Sequence, residues 1–214
     1  MATTDKTEWR LRDTNLTTLL GIVPAAQSHL YLEINEPGSG ELRLPLDTVT
    51  AGQITSGMFA ECYYRGSSHG GFFVENIKET KADAGEYGGR WMSISGRGPL
   101  ALLEDAIVWD DGTTSTSREF TSVTKASILI TLLTEAQARG ALANLTWDFS
   151  ASVDSAVAPV AWTDSEHYKL PVGTSLLDVA RQFAKTGGFD FEINLSGANF
   201  VLSAYAAGSG TDKA

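Results

Sequence analysis

One cysteine, three histidines and six prolines among 214 residues deny this chain the raw material of several protein classes. Cys62 alone closes no intrachain disulfide and founds no cysteine-rich metal site. His29, His69 and His167 stand in no H-x-x-x-H or H-E-x-x-H spacing, so no histidine-centred metal site is expected. Basic runs are missing too. Acidic residues outnumber Lys and Arg by 26 to 16, a formal net charge of -10. A duplex-wrapping surface needs clustered positive charge, so no nucleic-acid partner is expected. No apolar run is long enough to span a bilayer. The opening MATTDKTEWRLRD has no apolar stretch of the kind an export signal carries, so a soluble chain without its own export signal is expected. There is no G-x-S-x-G elbow, no P-loop and no G-x-G-x-x-G. In Gly96-Arg97-Gly98-Pro99 the proline removes an amide that an anion nest would use, which leaves a strand-to-helix turn.

What is present describes a folded, sheet-rich chain. Hydrophobic residues make up 43% and charged residues 20%, an ordinary globular balance. Twenty-one glycines favour strands joined by tight turns. Trp9-Arg10-Leu11-Arg12 reads as a short strand with Trp9 and Leu11 on one side. Leu30, Leu32 and Ile34 alternate with polar residues, as do Leu42, Leu44 and Leu46. With Glu36-Pro37-Gly38-Ser39-Gly40 as the turn, this predicts a hairpin with one apolar face. Pro45 donates no ladder hydrogen bond, so that strand ends there or lies at an edge. Met58 to Arg65 and Phe72 to Thr80 read as a second hairpin around Gly66–Gly71. Arg90 to Ser95 reads as a further strand after a turn at Asp83–Gly89.

Helices enter later. Pro99 opens a short one in which Leu100, Leu103 and Ile107 share a face. Asp110 to Arg118 reads as a polar loop. Lys125 to Arg139 is the clearest helix. Ile128, Leu129, Leu132, Leu133 and Ala136 form its stripe, Ser122 or Thr124 caps it, and Gly140 ends it. Leu145–Phe149 reads as a strand and Ala151–Ala161 as a loop. Ser175 caps a third helix that Gly187-Gly188 closes, followed by a hairpin of Phe189–Ile193 and Phe200–Tyr205. The expected class is α+β and mainly β: an antiparallel barrel-like domain over 1–98, a helix-containing α+β region over 99–205, and a tail over 206–214.

Reactive groups do not converge. Ser122-Val123-Thr124-Lys125 fits S-x-x-K and Lys185-Thr186-Gly187 fits K-T-G, the pair found in penicillin-binding chemistry. No S-D-N triplet lies between them, and K-T-G closes a helix where that chemistry needs a strand. Capping explains both fragments more simply. Asp110-Asp111 lacks an EF-hand pattern and reads as a solvated loop. Asp190 and Glu192 share one strand face, a pair fit for glycoside hydrolysis if it faces a groove; otherwise it is the wet face of a half-buried strand. No catalytic, cofactor or metal residue is therefore assigned. The aromatics say more. Phe59, Tyr63 and Tyr64 occupy both faces of one strand, which calls for a cover from this chain or from another subunit. Phe59, Tyr63, Trp91 and Arg97 are the candidate interface residues, since interfaces favour aromatic and arginine side chains.

The order of these elements resembles one family. Glu36–Pro45 looks like the early hairpin of tail-hub proteins from long-tailed bacteriophages, and Phe72–Ile77 like the strand that closes their first barrel. Arg90–Val108 is the strongest match, a strand ending in S-G-R that enters a short helix with paired leucines. Ile128–Gly140, Gly173–Ala180 and Gly188–Ile193 resemble the helix and helix-and-hairpin segments that follow. The resemblance covers roughly residues 28 to 205 and points to the Gp37-like minor tail proteins of actinobacterial siphophages. It implies a virion protein of the tail tip, a baseplate hub that forms a homotrimer. The implied partners are the distal tail protein and other tip or fibre proteins, with the tape measure protein as a further one. Members of that family are longer than this chain. Two other roles are open from the residues: a carbohydrate-binding module of a tail tip, and a cell-wall glycan hydrolase using Asp190 and Glu192.

Overall fold

The computed structural model describes residues 7–46, 51–81, 90–110, 112, 116–163 and 165–206. The expected turn at 83–89, most of the loop at 111–115 and the expected tail beyond 206 lie outside them. The chain divides into two compact units, Met1–Pro99 with Leu195–Asn199, and Leu100–Asn194 with Phe200–Ala214.

The first unit holds eight strands: β1 (Glu8–Arg12), β2 (Leu19–Val23), β3 (Gln27–Glu33), β4 (Glu36–Pro45), β5 (Phe59–Tyr64), β6 (Ser67–Phe73), β7 (Asn76–Lys81) and β8 (Arg90–Arg97). They form two four-stranded sheets, β2-β1-β5-β6 and β3-β4-β8-β7, with every pairing antiparallel. The mainly-β reading holds, and among the described residues the two sheets do not close into a barrel. Trp9, Leu11, Ala60, Cys62 and Phe72 from one sheet and Leu42, Leu44, Met92 and Ile94 from the other share a single core. Strand alternation produces this arrangement, because every second side chain of β1, β4 and β8 points inward.

The hairpins turn earlier than the glycines suggest. β3 and β4 are joined by Ile34-Asn35, with Asn35 at φ 61°, and Glu33 pairs with Glu36. Glu36–Gly40, expected as a turn, is the start of β4. The consequence is that Leu32 and Ile34 sit at an exposed tip and not on the apolar face, at 65% and 82% exposure. β5 and β6 likewise turn at Arg65-Gly66, both at positive φ, the shape of a two-residue hairpin loop. Phe72–Thr80, expected as one strand, is divided: β6 ends at Phe73 and β7 begins at Asn76 in the other sheet. The glycines of β4 and β8 serve close packing. A Cβ on Gly40 would collide with the Phe72 ring, and one on Gly96 with the Phe73 carbonyl. Pro45 ends β4 opposite Trp91, beyond the last β3 partner at Arg43.

In the second unit, a 3-10 turn at Pro99–Ala101 runs into α1 (Leu102–Asp105). β9 (Ser117–Val123) pairs antiparallel with β11 (Glu166–Pro171). α2 (Lys125–Ala138) starts at Thr124, whose hydroxyl accepts from the Ser127 amide at 3.1 Å, and buries the expected stripe. α3 (Leu176–Lys185) starts at Ser175, whose hydroxyl accepts from the Asp178 amide at 3.0 Å. β10 (Leu145–Trp147), β12 (Asp190–Ser196) and β13 (Asn199–Tyr205) make a third sheet ordered β10-β13-β12, with β10 parallel to β13. Aromatic rings stitch this unit: Tyr168 meets Phe183 at 5.1 Å, Phe183 meets Phe189 at 5.8 Å, and Phe189 meets Trp162 at 5.6 Å. No helix is long and apolar enough to cross a membrane among the described residues.

Candidate functional surface

The register of the β3-β4-β8-β7 sheet fixes what its outward face presents. Leu42, Leu44, Met92 and Ile94 point to the core, so the alternate residues point away from it. Four cross-strand rows result. Tyr31, Ser39 and Arg97 form the first, and His29, Glu41, Ser95 and Asn76 the second. Gln27, Arg43, Ser93 and Lys78 form the third, and Pro45, Trp91 and Thr80 the fourth.

The first two rows enclose an open groove of about 520 Å³. Its floor is small, with Ser39, Gly40, Ser95 and Gly96 on the two interior strands. His29 and Tyr31 flank it on β3, and Asn76, Glu75 and Arg97 on the opposite side. Glu75 holds Arg97 in place: its Oε1 accepts from the guanidinium at 2.8 Å and 2.7 Å, and its Oε2 accepts from the Arg97 amide at 3.3 Å. At the other end the Arg43 guanidinium lies over the Trp91 ring, 4.9 Å from its centroid.

The four candidate interface residues are thus dispersed. Trp91 and Arg97 share this outward face, half-buried, at opposite ends of β8. Tyr63 belongs to the other sheet, where the Arg10 guanidinium covers its ring at 3.6 Å. Phe59 is fully buried, with its ring edge-on to Phe73 at 5.3 Å. That corrects the expectation for Phe59: a ring covered within its own chain has no surface to offer a partner.

The edges of the sheets differ in chemistry. β2 is an edge strand without a charged residue, and Leu19 and Ile22 on it are 49% and 58% exposed. The uncharged run extends from Thr14 to Ser28. β7, at another edge, exposes Lys78 and Glu79, the kind of charged edge that resists pairing with other chains.

The groups considered for catalysis have other employment. Lys125 is buried, and its Nζ donates to the Gly187 carbonyl at 2.6 Å, at the end of α3. The structure therefore does bring S-x-x-K and K-T-G together, but as a cation on a helix C-terminus. Ser122 is exposed, with φ at 56°. Asp190 is exposed on β12, and Glu192 Oε1 accepts from the Tyr205 hydroxyl at 3.1 Å. Burial raises the Tyr205 pKa above the ordinary tyrosine range, with Glu192 and Asp148 adding to it. Among the described residues no three His, Cys, Asp or Glu side chains gather as metal ligands would.

No protein-family model matches the sequence, and no curated protein matches it. The fold does have solved counterparts. A 43 kDa tail protein of prophage MuSo2 from Shewanella oneidensis is similar at a TM-score of 0.56 and 13% identity, over 92% of this chain and 55% of that one. A tail protein from Neisseria meningitidis MC58 is similar at a TM-score of 0.55 and 13% identity, over 92% of this chain and 50% of that one. The fold is shared with phage tail proteins. The chain spans about half the length of these two structures, and at such identity the likeness is one of fold alone.

Proposed function

We propose that this chain is a structural component of a phage tail, a hub or adaptor at the tail tip that joins the end of the tail tube to distal tip or fibre proteins. The observation that carries the reading is the likeness to two tail proteins over 92% of the chain, both units included. The role is mechanical and non-enzymatic. Antiparallel sheets make stiff walls, and repetition of one subunit about an axis covers edges that a lone copy leaves open. The uncharged β2 edge, with Leu19 and Ile22 exposed, supports such a use. Trp91, Arg97 and Tyr63 supply the aromatic and guanidinium groups that interfaces favour. In this reading the protein is a homotrimer in the virion, in contact with the distal tail protein, with fibre or other tip proteins, and with the tape measure protein.

Light scattering and native mass spectrometry of the full chain, alone and mixed with its tail neighbours, test the reading. A trimer is expected, and Ile22→Lys on the open edge is expected to dissociate it without unfolding the chain. A strictly monomeric particle, even with the neighbours supplied, would sink the hub role.

A further inference from the structure

The groove on the β3-β4-β8-β7 sheet gathers polar side chains from four strands on one open face. Besides the paired Glu75 and Arg97, six polar side chains line it: His29, Tyr31, Ser39, Glu41, Asn76 and Ser95. Among the described residues none of them makes a side-chain hydrogen bond or an ion pair, although they come from four strands and meet on one face. We propose that this groove binds a neutral, hydroxyl-rich ligand, a saccharide chain, through these six side chains.

Three features select that ligand class. The groups are mixed: serine and tyrosine hydroxyls, an amide and an imidazole each donate and accept, and Glu41 accepts only. A polyol matches such a set, since each sugar hydroxyl also does both. Tyr31, 66% exposed at the rim, offers an aromatic face with a polar tip, a surface on which the C–H side of a sugar ring can rest. Charge disfavours anions. Glu75 is matched by Arg97 at 2.7 Å, so Glu41 leaves the groove with an unmatched negative charge.

The backbone argues against a peptide. β4 and β8 are interior strands, and Glu41 is paired with His29 on one side and Ser95 on the other. Their main-chain groups already serve the ladders, so an extended peptide cannot add here as a new strand. Recognition falls to side chains, as sugar binding requires. The six side chains do not include Trp91, Tyr63 or Arg97, and Ser95 lies roughly 13 Å along β8 from Trp91 at 3.3 Å per residue.

The test is amide chemical-shift mapping of the isotope-labelled full chain, titrated to millimolar concentration with cellohexaose, maltohexaose and chitohexaose, and separately with a sulfated hexasaccharide and with hexalysine. At least one neutral sugar is expected to shift the amides of residues 39–41, 76 and 95–97 and few others. Tyr31→Ala and Asn76→Ala are each expected to weaken that binding about tenfold, while Trp91→Ala leaves it unchanged. Both substituted residues are exposed, so the variants should fold, and their unperturbed core resonances check that. The proposal is overturned if no neutral sugar shifts these amides. It is also overturned if the sulfated sugar or hexalysine binds there and neutral sugars do not, or if both variants bind as the parent does. None of these results bears on whether the chain trimerises.

Discussion

Arg12 and Glu61 form a largely buried ion pair in the first unit. The Arg12 Nε donates to Glu61 Oε2 at 2.9 Å, and its Nη1 donates to the Leu16 carbonyl at 3.3 Å. The two ends are unequally covered: the Glu61 side chain is 2% exposed and that of Arg12 19%. Deleting the arginine leaves a carboxylate shielded from water, with only Arg10, already engaged by Glu8, as a neighbouring cation, a loss of about 3–5 kcal/mol for a buried pair. Arg12 keeps some access to solvent, so the lower end applies, about 3 kcal/mol. At roughly 2–4 °C per kcal/mol for a chain of this size, Arg12→Met lowers the Tm by roughly 6–12 °C. Glu61→Gln is milder, about 1.5 kcal/mol, because the guanidinium it abandons still reaches water and the Leu16 carbonyl. The double variant Arg12→Met/Glu61→Gln recovers part of the loss of Arg12→Met, since no buried charge is left. Urea unfolding followed by the fluorescence of the five tryptophans measures all three. The reasoning fails if Arg12→Met costs less than about 1 kcal/mol, or no more than Glu61→Gln.

Other perturbations follow from single contacts. Lys125→Met keeps the apolar stem but removes the cation from the Gly187 carbonyl, and should cost about 1.5–3 kcal/mol in the same urea experiment. Gly40→Ala drives a methyl into the Phe72 ring and should cost about 1–3 kcal/mol, whereas Gly52→Ala, with nothing within 4 Å, should be near neutral. The Thr18 backbone amide, together with the Thr17 and Thr18 side chains, holds the Asp13 carboxyl below the usual aspartate range. That lowering favours the folded state above the ordinary aspartate pKa of about 3.9 and is lost as pH falls through the folded value. An NMR titration should therefore place the Asp13 midpoint below that of a free aspartate, and Thr17→Ala should raise it.

The elements legible in the sequence are those whose pattern and caps agree. α2 shows Ile128, Leu129, Leu132, Leu133 and Ala136 at helical spacing behind Thr124, and α3 shows Leu176, Leu177, Ala180 and Phe183 behind Ser175. Trp9 and Leu11 alternate with arginines and are both buried. β9 and β11 escaped because their two-stranded ribbon buries little: only Tyr168 and Leu170 of β11 are buried, and no residue of β9 is. The β3–β4 turn misleads for another reason. Pro37, Gly38 and Gly40 look like turn residues, yet Gly40 serves the core by making room for Phe72, and Asn35 supplies the left-handed turn instead. Phe59 looked outward because β5 is apolar on both faces, and alternation alone does not reveal a strand covered on both. The groove was invisible for a geometric reason. Its residues run from His29 to Arg97, and only the register of four strands brings them into two rows.

The sheets of the first unit are built from alternating pairs of strands: β1 and β2 belong to one, β3 and β4 to the other, β5 and β6 return to the first, and β7 and β8 to the second. A ribosome therefore delivers each sheet in two instalments. β1 must wait for β5, and β4 for β8, so hairpins emerge early while their apolar faces stay wet. Closure of such distant pairs is slow compared with helix formation. During synthesis Leu42 and Leu44 have no facing Met92 or Ile94 until β8 leaves the exit tunnel, and in that interval the nascent chain is most open to chaperones and to aggregation.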